Sequence, residues 1–358
     1  MTILSAFVRA LLFWLGIYEG ITGWQGWWAA SWLGRGRRRA LLLPLLAAPM
    51  NMPGRRWQRV IGFTLAAPLA LGLQLMASSL RNRAADPRAR LRPGDHPDRR
   101  VSLVRIPMNE GYLPAIFSEP AADARAAVCI LHGSGDHKGG YTWWMTDALL
   151  AAGLAVLLID LDGHGENPRI QQYPAILEDV TVSVEWLRAR YDHVGVLGLS
   201  LGGCIAARAV ADGAPVDALV LMEAPPHLAF TKADMRREAL ALLHVPAMSV
   251  FRDTSARQLI SAWSSAPIRA AISTWDLIAA LDLLGSLPHI HIPLLLLYGS
   301  RDAIVKPALA AQVRAAAPSH AAFRLVRGAS HLTLFLRRDV QTAIADWFAQ
   351  QLGTTTLQ

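Results

Sequence analysis

Ser200 sits among glycines in Gly198-Leu199-Ser200-Leu201-Gly202-Gly203. An aliphatic run, His193-Val194-Gly195-Val196-Leu197, precedes it, and Cys204-Ile205-Ala206-Ala207-Arg208-Ala209-Val210 follows. Strand, glycine-flanked serine and helix together spell a tight elbow that lifts a serine hydroxyl above a sheet. Glycine is needed where backbone and helix approach closely. The chemistry of such a serine is nucleophilic attack, and it requires a base and an acid that orients the base. A helix N-cap serine in a glycine-rich turn is the alternative, so the partners decide.

The partners follow in the order acid, then histidine. Ile292-Pro293-Leu294-Leu295-Leu296-Leu297-Tyr298 reads as a buried strand and ends in Gly299-Ser300-Arg301-Asp302. Ala322-Phe323-Arg324-Leu325-Val326 reads as another strand and leads to Gly328-Ala329-Ser330-His331. Ser200, Asp302 and His331 each lie just past a strand, which points to one catalytic set. An oxyanion needs preorganised donors. The backbone N–H of Leu201 opens the elbow helix, and that of Ser134 lies in His132-Gly133-Ser134-Gly135, after the strand Ala127-Val128-Cys129-Ile130-Leu131. His132 is expected to position this loop rather than to react.

These motifs make residues 101–352 resemble the α/β-hydrolase superfamily. Within it, the sequence is similar to the monoacylglycerol lipase, lysophospholipase and serine-aminopeptidase branch. The resemblance is carried by Leu131-His132-Gly133-Ser134-Gly135, the elbow, Gly299-Ser300-Arg301-Asp302 and Ala329-Ser330-His331. It is also carried by Asp160-Leu161-Asp162-Gly163-His164-Gly165-Glu166, where Asp162 and Glu166 stand in place of the usual arginine and serine. The expected fold is α/β: a mostly parallel sheet with helices on both faces. Leu154–Ile159 and Ala218–Met222 read as further strands, and Ala175–Arg190 as a helix. Residues 224–290 are too long for a plain connection, and in this fold an insertion here commonly forms a helical cap over the site.

The N-terminal part differs in composition. The chain has 358 residues, is 53% hydrophobic and carries a net charge of +8. Residues 1–105 hold 16 Arg and 4 acidic residues, whereas the rest has a balance of −4. From Ala10 to Leu33 Glu19 is the only charge, and Val60–Leu80 has none. Runs of about 20 apolar residues suggest membrane helices. Trp24, Trp27, Trp28 and Trp32 suit an aromatic belt, and the proline-bearing run Ala40–Pro53 suits an interfacial segment. Residues 1–80 are therefore expected to form an all-helical membrane region, residues 81–100 an Arg/Pro-rich linker, and the enzyme to be membrane-located with lipids as partners. The side is open, because both flanks of Val60–Leu80 are arginine-rich. Nucleic acid is excluded as a partner, since the arginines bracket apolar runs and no base-stacking module is present.

Cys129 and Cys204 fall in buried-type segments and suit core thiols better than a disulfide. No Cys/His spacing suits a metal, and no cofactor is implied. The leading expectation is a serine hydrolase of carboxylic, including lipid, esters or thioesters. A second reading is an aminopeptidase in which Glu223, Asp234 or Glu238 binds the substrate ammonium. A third is a receptor or scaffold on an inactive hydrolase fold.

Overall fold

Aliphatic runs bounded by glycine, proline and charge build a nine-stranded sheet in the order β1-β2-β3-β5-β4-β6-β7-β8-β9. The strands are β1 (Gly94–His96), β2 (Arg99–Pro107), β3 (Tyr112–Pro120), β4 (Ala126–Leu131), β5 (Ala155–Ile159), β6 (His193–Leu199), β7 (Ala218–Met222), β8 (Leu294–Gly299) and β9 (Ala322–Val326). The structure, a computed structural model, describes residues 7–15, 17, 56–81, 91–139, 143–242 and 268–353. Strands β4 to β9 pair in parallel, and β1 to β3 form an antiparallel edge joined to β5 through β3. Every residue of β4, β5, β7 and β8 is buried, as expected for strands covered on both faces.

Helices supply that cover: α1 (Trp143–Ala151), α2 (Glu178–Arg188), α3 (Leu201–Ala211), α4 (Lys232–Leu242), α5 (Thr274–Leu281), α6 (Pro307–Ala316) and α7 (Arg338–Gln351). On one face Met145 and Leu149 of α1 pack with Ile344 and Phe348 of α7. On the other, Val184 of α2, Ile205 of α3, Leu277 of α5 and Val313 of α6 share a second core. Gly195 lets Phe348 lie against β6, because a Cβ there would come within 2.6 Å of its ring.

The sheet begins earlier than the sequence suggests. Residues 94–100, expected in a linker, form β1 and the start of β2. Arginine content is misleading here, because Arg99 is buried with its guanidinium on Asp98 (2.8 Å) and Asp147 (2.7 Å). The helix expected at Ala175–Arg190 is a 3-10 turn, Ala175–Leu177, followed by α2.

The chain divides into two compact units: residues 1–86 with 242–266, and residues 87–241 with 267–358. In the first, the helical residues 7–15 meet the helix Arg56–Arg81 through Ala10, Ala66 and a Trp14–Phe63 ring pair 5.0 Å apart. The membrane expectation is corrected. Among the described residues no helix is long and apolar enough to cross a membrane. Val60–Leu80 is free of charge, yet Thr64, Pro68, Gln74, Ser78 and Ser79 interrupt it, so absence of charge overstated its apolarity. The tryptophans 24, 27, 28 and 32 and the run Ala40–Pro53 lie outside the described residues.

Part of the expected cap, residues 243–267, is likewise outside them. Its flanks are described. Beyond it the chain is clamped to the loop after β5: Arg269 N–H donates to Gly163 O (3.1 Å), Gln171 N–H to Arg269 O (2.8 Å), and Ala271 N–H to Gln171 O (3.0 Å). Gly163 has φ +82°, and a Cβ there would meet Arg269 O at 2.5 Å, so the clamp needs glycine.

Candidate active site

Ser200 occupies the turn between β6 and α3 with φ 49° and ψ −113°, backbone that L-residues rarely adopt. The glycines permit it. A Cβ on Gly198 would lie 2.5 Å from Gly203 Cα, and one on Gly202 would lie 2.6 Å from the carbonyl oxygens of Leu131 and His132. The bend is fixed by Ser200 N–H donating to Met222 O (2.8 Å) and by Gly203 and Cys204 N–H donating to Ser200 O. The N-terminus of α3, with its partial positive charge, therefore points at the Ser200 hydroxyl.

The three residues singled out by order and context meet here. Ser200 Oγ is 3.2 Å from His331 Nε2, and His331 Nδ1 is 2.9 Å from Asp302 Oδ2. The pattern requires the proton on Nδ1, so that Nδ1–H donates to Asp302 and Nε2 accepts from the hydroxyl. Asp302 Oδ1 in turn accepts from Ile304 and Val305 N–H, both at 2.7 Å. Asp302 is buried, and its contact with Nδ1 restrains the His331 ring. Ser200–His331 is a separation of 131 residues closed by four neighbouring parallel strands, β6, β7, β8 and β9.

The loop carrying Ser134 lies beside the nucleophile, since a Cβ on Gly133 would meet Ser200 Cβ at 3.5 Å. Asp136 N–H closes this loop onto Gly133 O. Ser134 Oγ lies 3.3 Å from Thr274 Oγ1 at the start of α5. Leu201 is the first residue of α3, where N–H groups precede the intrahelical ladder. His132 props the loop: Nε2 accepts from Leu161 N–H (3.1 Å), and Nδ1 faces Gly133 O (2.8 Å). Burial and the neighbouring His164 hold His132 down to about 3, so it stays neutral.

The departures at Asp162 and Glu166 are balanced from elsewhere. Arg169 reaches Asp162 (3.2 Å) and Glu178 (2.5 Å), and so supplies the missing cation seven positions on. Lys138 reaches Asp160 (2.6 Å) and Glu166 (2.8 Å). Gly165 is obligatory, because a Cβ there would collide with the Asp160 carboxylate. Both cysteines are free and buried, and burial pushes the Cys129 thiol up to about 12.

The acids considered for an ammonium ion are already engaged. Asp234 accepts from Thr231 N–H and Oγ1–H (2.9 Å each) at the start of α4. Glu238 is buried, and its two oxygens accept from Ala303 N–H (2.7 Å) and Leu332 N–H (3.1 Å), the residues after Asp302 and His331. Sequence reading missed this tie, because its partners lie 65 and 94 positions away. Glu223 follows β7 at φ 54° and is buried behind Asp302 and His331. Glu223, Asp302 and His331 present ligand-type atoms within 4.8 Å of one another. Both ring nitrogens of His331 are engaged, however, with Asp302 and Ser200.

The sequence model of the family described as serine aminopeptidase, S33, a hydrolase family, matches residues 122–336. The chain belongs to this S33 hydrolase family. It is similar to a pimeloyl-[acyl-carrier protein] methyl ester esterase of Vibrio cholerae serotype O1, at 26% identity over 54% of this chain and 83% of the relative. Among solved structures, an esterase of Pyrococcus furiosus superposes with a TM-score of 0.53 at 19% identity, covering 71% of this chain and 92% of that one. A bromoperoxidase of Bacillus anthracis gives 0.53 at 20% identity, covering 70% and 100%. These two likenesses speak for the α/β-hydrolase fold alone. As an S33 member with esterase relatives, the protein is a serine hydrolase of the carboxylic-ester-hydrolase kind.

Proposed function

We propose that the protein hydrolyses small-molecule carboxylic esters through an acyl-enzyme on Ser200. The observation that carries this reading is the continuous relay Ser200–His331–Asp302, at 3.2 and 2.9 Å, built on an elbow with φ 49°. Ser200 Oγ attacks the acyl carbon while His331 Nε2 takes its proton. The N–H groups of Ser134 and Leu201 receive the developing oxyanion. His331 then returns the proton to the leaving alkoxide, which departs as the alcohol. A water, deprotonated by His331, attacks the acyl-enzyme, and the acid is released as Ser200 regains its proton. Asp302 holds the tautomer and stabilises the imidazolium. The resemblance to a methyl ester esterase supports an acyl ester with a small alcohol as leaving group. The aminopeptidase reading loses support, because Asp234 and Glu238 are spent on backbone and Glu223 is enclosed.

Fluorophosphonate labelling and p-nitrophenyl butyrate hydrolysis test the proposal. The unaltered protein is expected to label and turn over, and Ser200→Ala to lose both, with turnover falling by about 10⁴-fold or more. Labelling that survives in folded Ser200→Ala would move the nucleophile elsewhere.

A further inference from the structure

Glu223 is a buried carboxyl for which the reaction above has no use. It is the first residue past β7, one strand over from the elbow, and holds a left-handed backbone conformation (φ 54°) without being glycine. Such conformations persist where the surroundings impose them and often mark functional positions. Its N–H donates to Leu297 O at 2.8 Å, which fixes the backbone against β8. The side chain is 4% exposed, with Oε2 3.9 Å from His331 Nδ1, the nitrogen that Asp302 engages at 2.9 Å. Among the described residues Oε1 has no hydrogen-bond partner.

The neighbours around this carboxyl are committed elsewhere. Tyr298 O–H donates to Ala224 O (2.8 Å), and Glu238 accepts from the two backbone N–H groups already named. The titratable groups facing Glu223 are thus Asp302, His331, Glu238 and Tyr298. Burial first, then the charges of Asp302 and Glu238, push Glu223 well above the usual carboxylate range. Two carboxyls crowded against one imidazole share a proton rather than both ionise.

The geometry points to Glu223 as a positioning residue for His331, a second acid standing behind Asp302 and able to take over its bond to Nδ1. In the resting protein Asp302 holds Nδ1, while burial disfavours the charged form of Glu223. If Asp302 is removed, the charge that adds to burial in raising Glu223 goes with it, and the space beside Nδ1 opens. Glu223 then releases its proton to water, and its Oε2 needs to close a gap of 3.9 Å to accept from Nδ1–H. The inference rests on the assignment of Ser200, His331 and Asp302 proposed above.

The test compares Asp302→Ser with Asp302→Ser/Glu223→Gln, using p-nitrophenyl butyrate turnover across pH and fluorophosphonate labelling. Serine is chosen because its hydroxyl still caps Ile304 and Val305 N–H yet falls short of His331. Asp302→Ala, with and without Glu223→Gln, repeats the comparison if the serine variant fails to fold, and thermal unfolding verifies folding of each. Asp302→Ser is expected to retain activity at least about tenfold above the double variant, with the acid limb of its kcat profile displaced from that of the double variant. Equal activities and matching pH profiles in the folded single and double variants would overturn the role of Glu223. If Ser200→Ala still labels, the underlying assignment fails instead, so the two failures are distinguishable.

Discussion

At the scale of single residues, the elbow is governed by what has no side chain. Gly202 faces the carbonyl oxygens of Leu131 and His132 at a distance no Cβ tolerates, and both belong to the stretch that leads to Ser134. Gly202→Ala must therefore push the proposed oxyanion loop away from Ser200 or twist α3. Overpacking of this kind typically costs about 1–3 kcal/mol. The expected outcome is a lowered melting temperature together with a fall in kcat larger than any change in KM, measured by calorimetry and steady-state kinetics. An unchanged kcat would show that the loop tolerates displacement. Ser200, Asp302 and His331 were legible in the sequence because each follows a strand whose aliphatic run announces it. Glu238 and Arg169 were not, because a charged side chain reveals nothing of its partner until the chain has folded. Glu238 was even read for the wrong task, a site for a substrate ammonium.

At the scale of elements, α4 joins two loops that otherwise have separate origins. One carboxylate, Glu238, holds the loop after β8 through Ala303 and the loop after β9 through Leu332. A hydrogen bond to a charged group is worth about 1.5–3 kcal/mol. Glu238→Gln keeps one acceptor but turns an amide N–H₂ toward the other N–H. The expected result is a drop of at least about tenfold in kcat with KM nearly unchanged, since the loss falls on the Asp302–His331 geometry and not on binding. Kinetics across substrate concentration would check this, and a change confined to KM would place Glu238 in the binding site. The parallel strands were readable from unbroken aliphatic runs. The antiparallel edge was less so: β1 and the start of β2 hide among arginines and prolines that imitate a linker. Membrane placement failed for a related reason. Counting charges in Val60–Leu80 ignored the hydroxyls, amide and proline that interrupt it.

At the scale of the whole molecule, two buried imidazoles weigh against stability in acid. His132 is held from its ordinary 6.5 down to about 3, and burial lowers His164 as well. Below pH 6.5 the unfolded chain takes up protons that the folded chain refuses, so stability is lost as pH falls from there toward 3. The melting temperature should decline steadily through that window. His164→Gln should flatten part of the slope, as scanning calorimetry at several pH values would reveal. A pH dependence of the melting temperature identical in His164→Gln and the unaltered protein would mean that the His164 ring accepts its proton in the fold.

The clamp of Arg269 to Gly163 and Gln171 has a consequence for how such a protein can change. On one side of residues 243–267 the chain is tied down at α4 through Glu238, and on the other at residues 269–271. The first tie holds the loops of Asp302 and His331, and the second holds the loop after β5. Lengthening a connection whose ends are already fixed adds only about 0.6 kcal/mol per doubling. A change of length between these two fixed points is therefore expected to leave the contacts of Ser200, His331 and Asp302 in place, so the two flanks act as independent moorings for whatever chain runs between them.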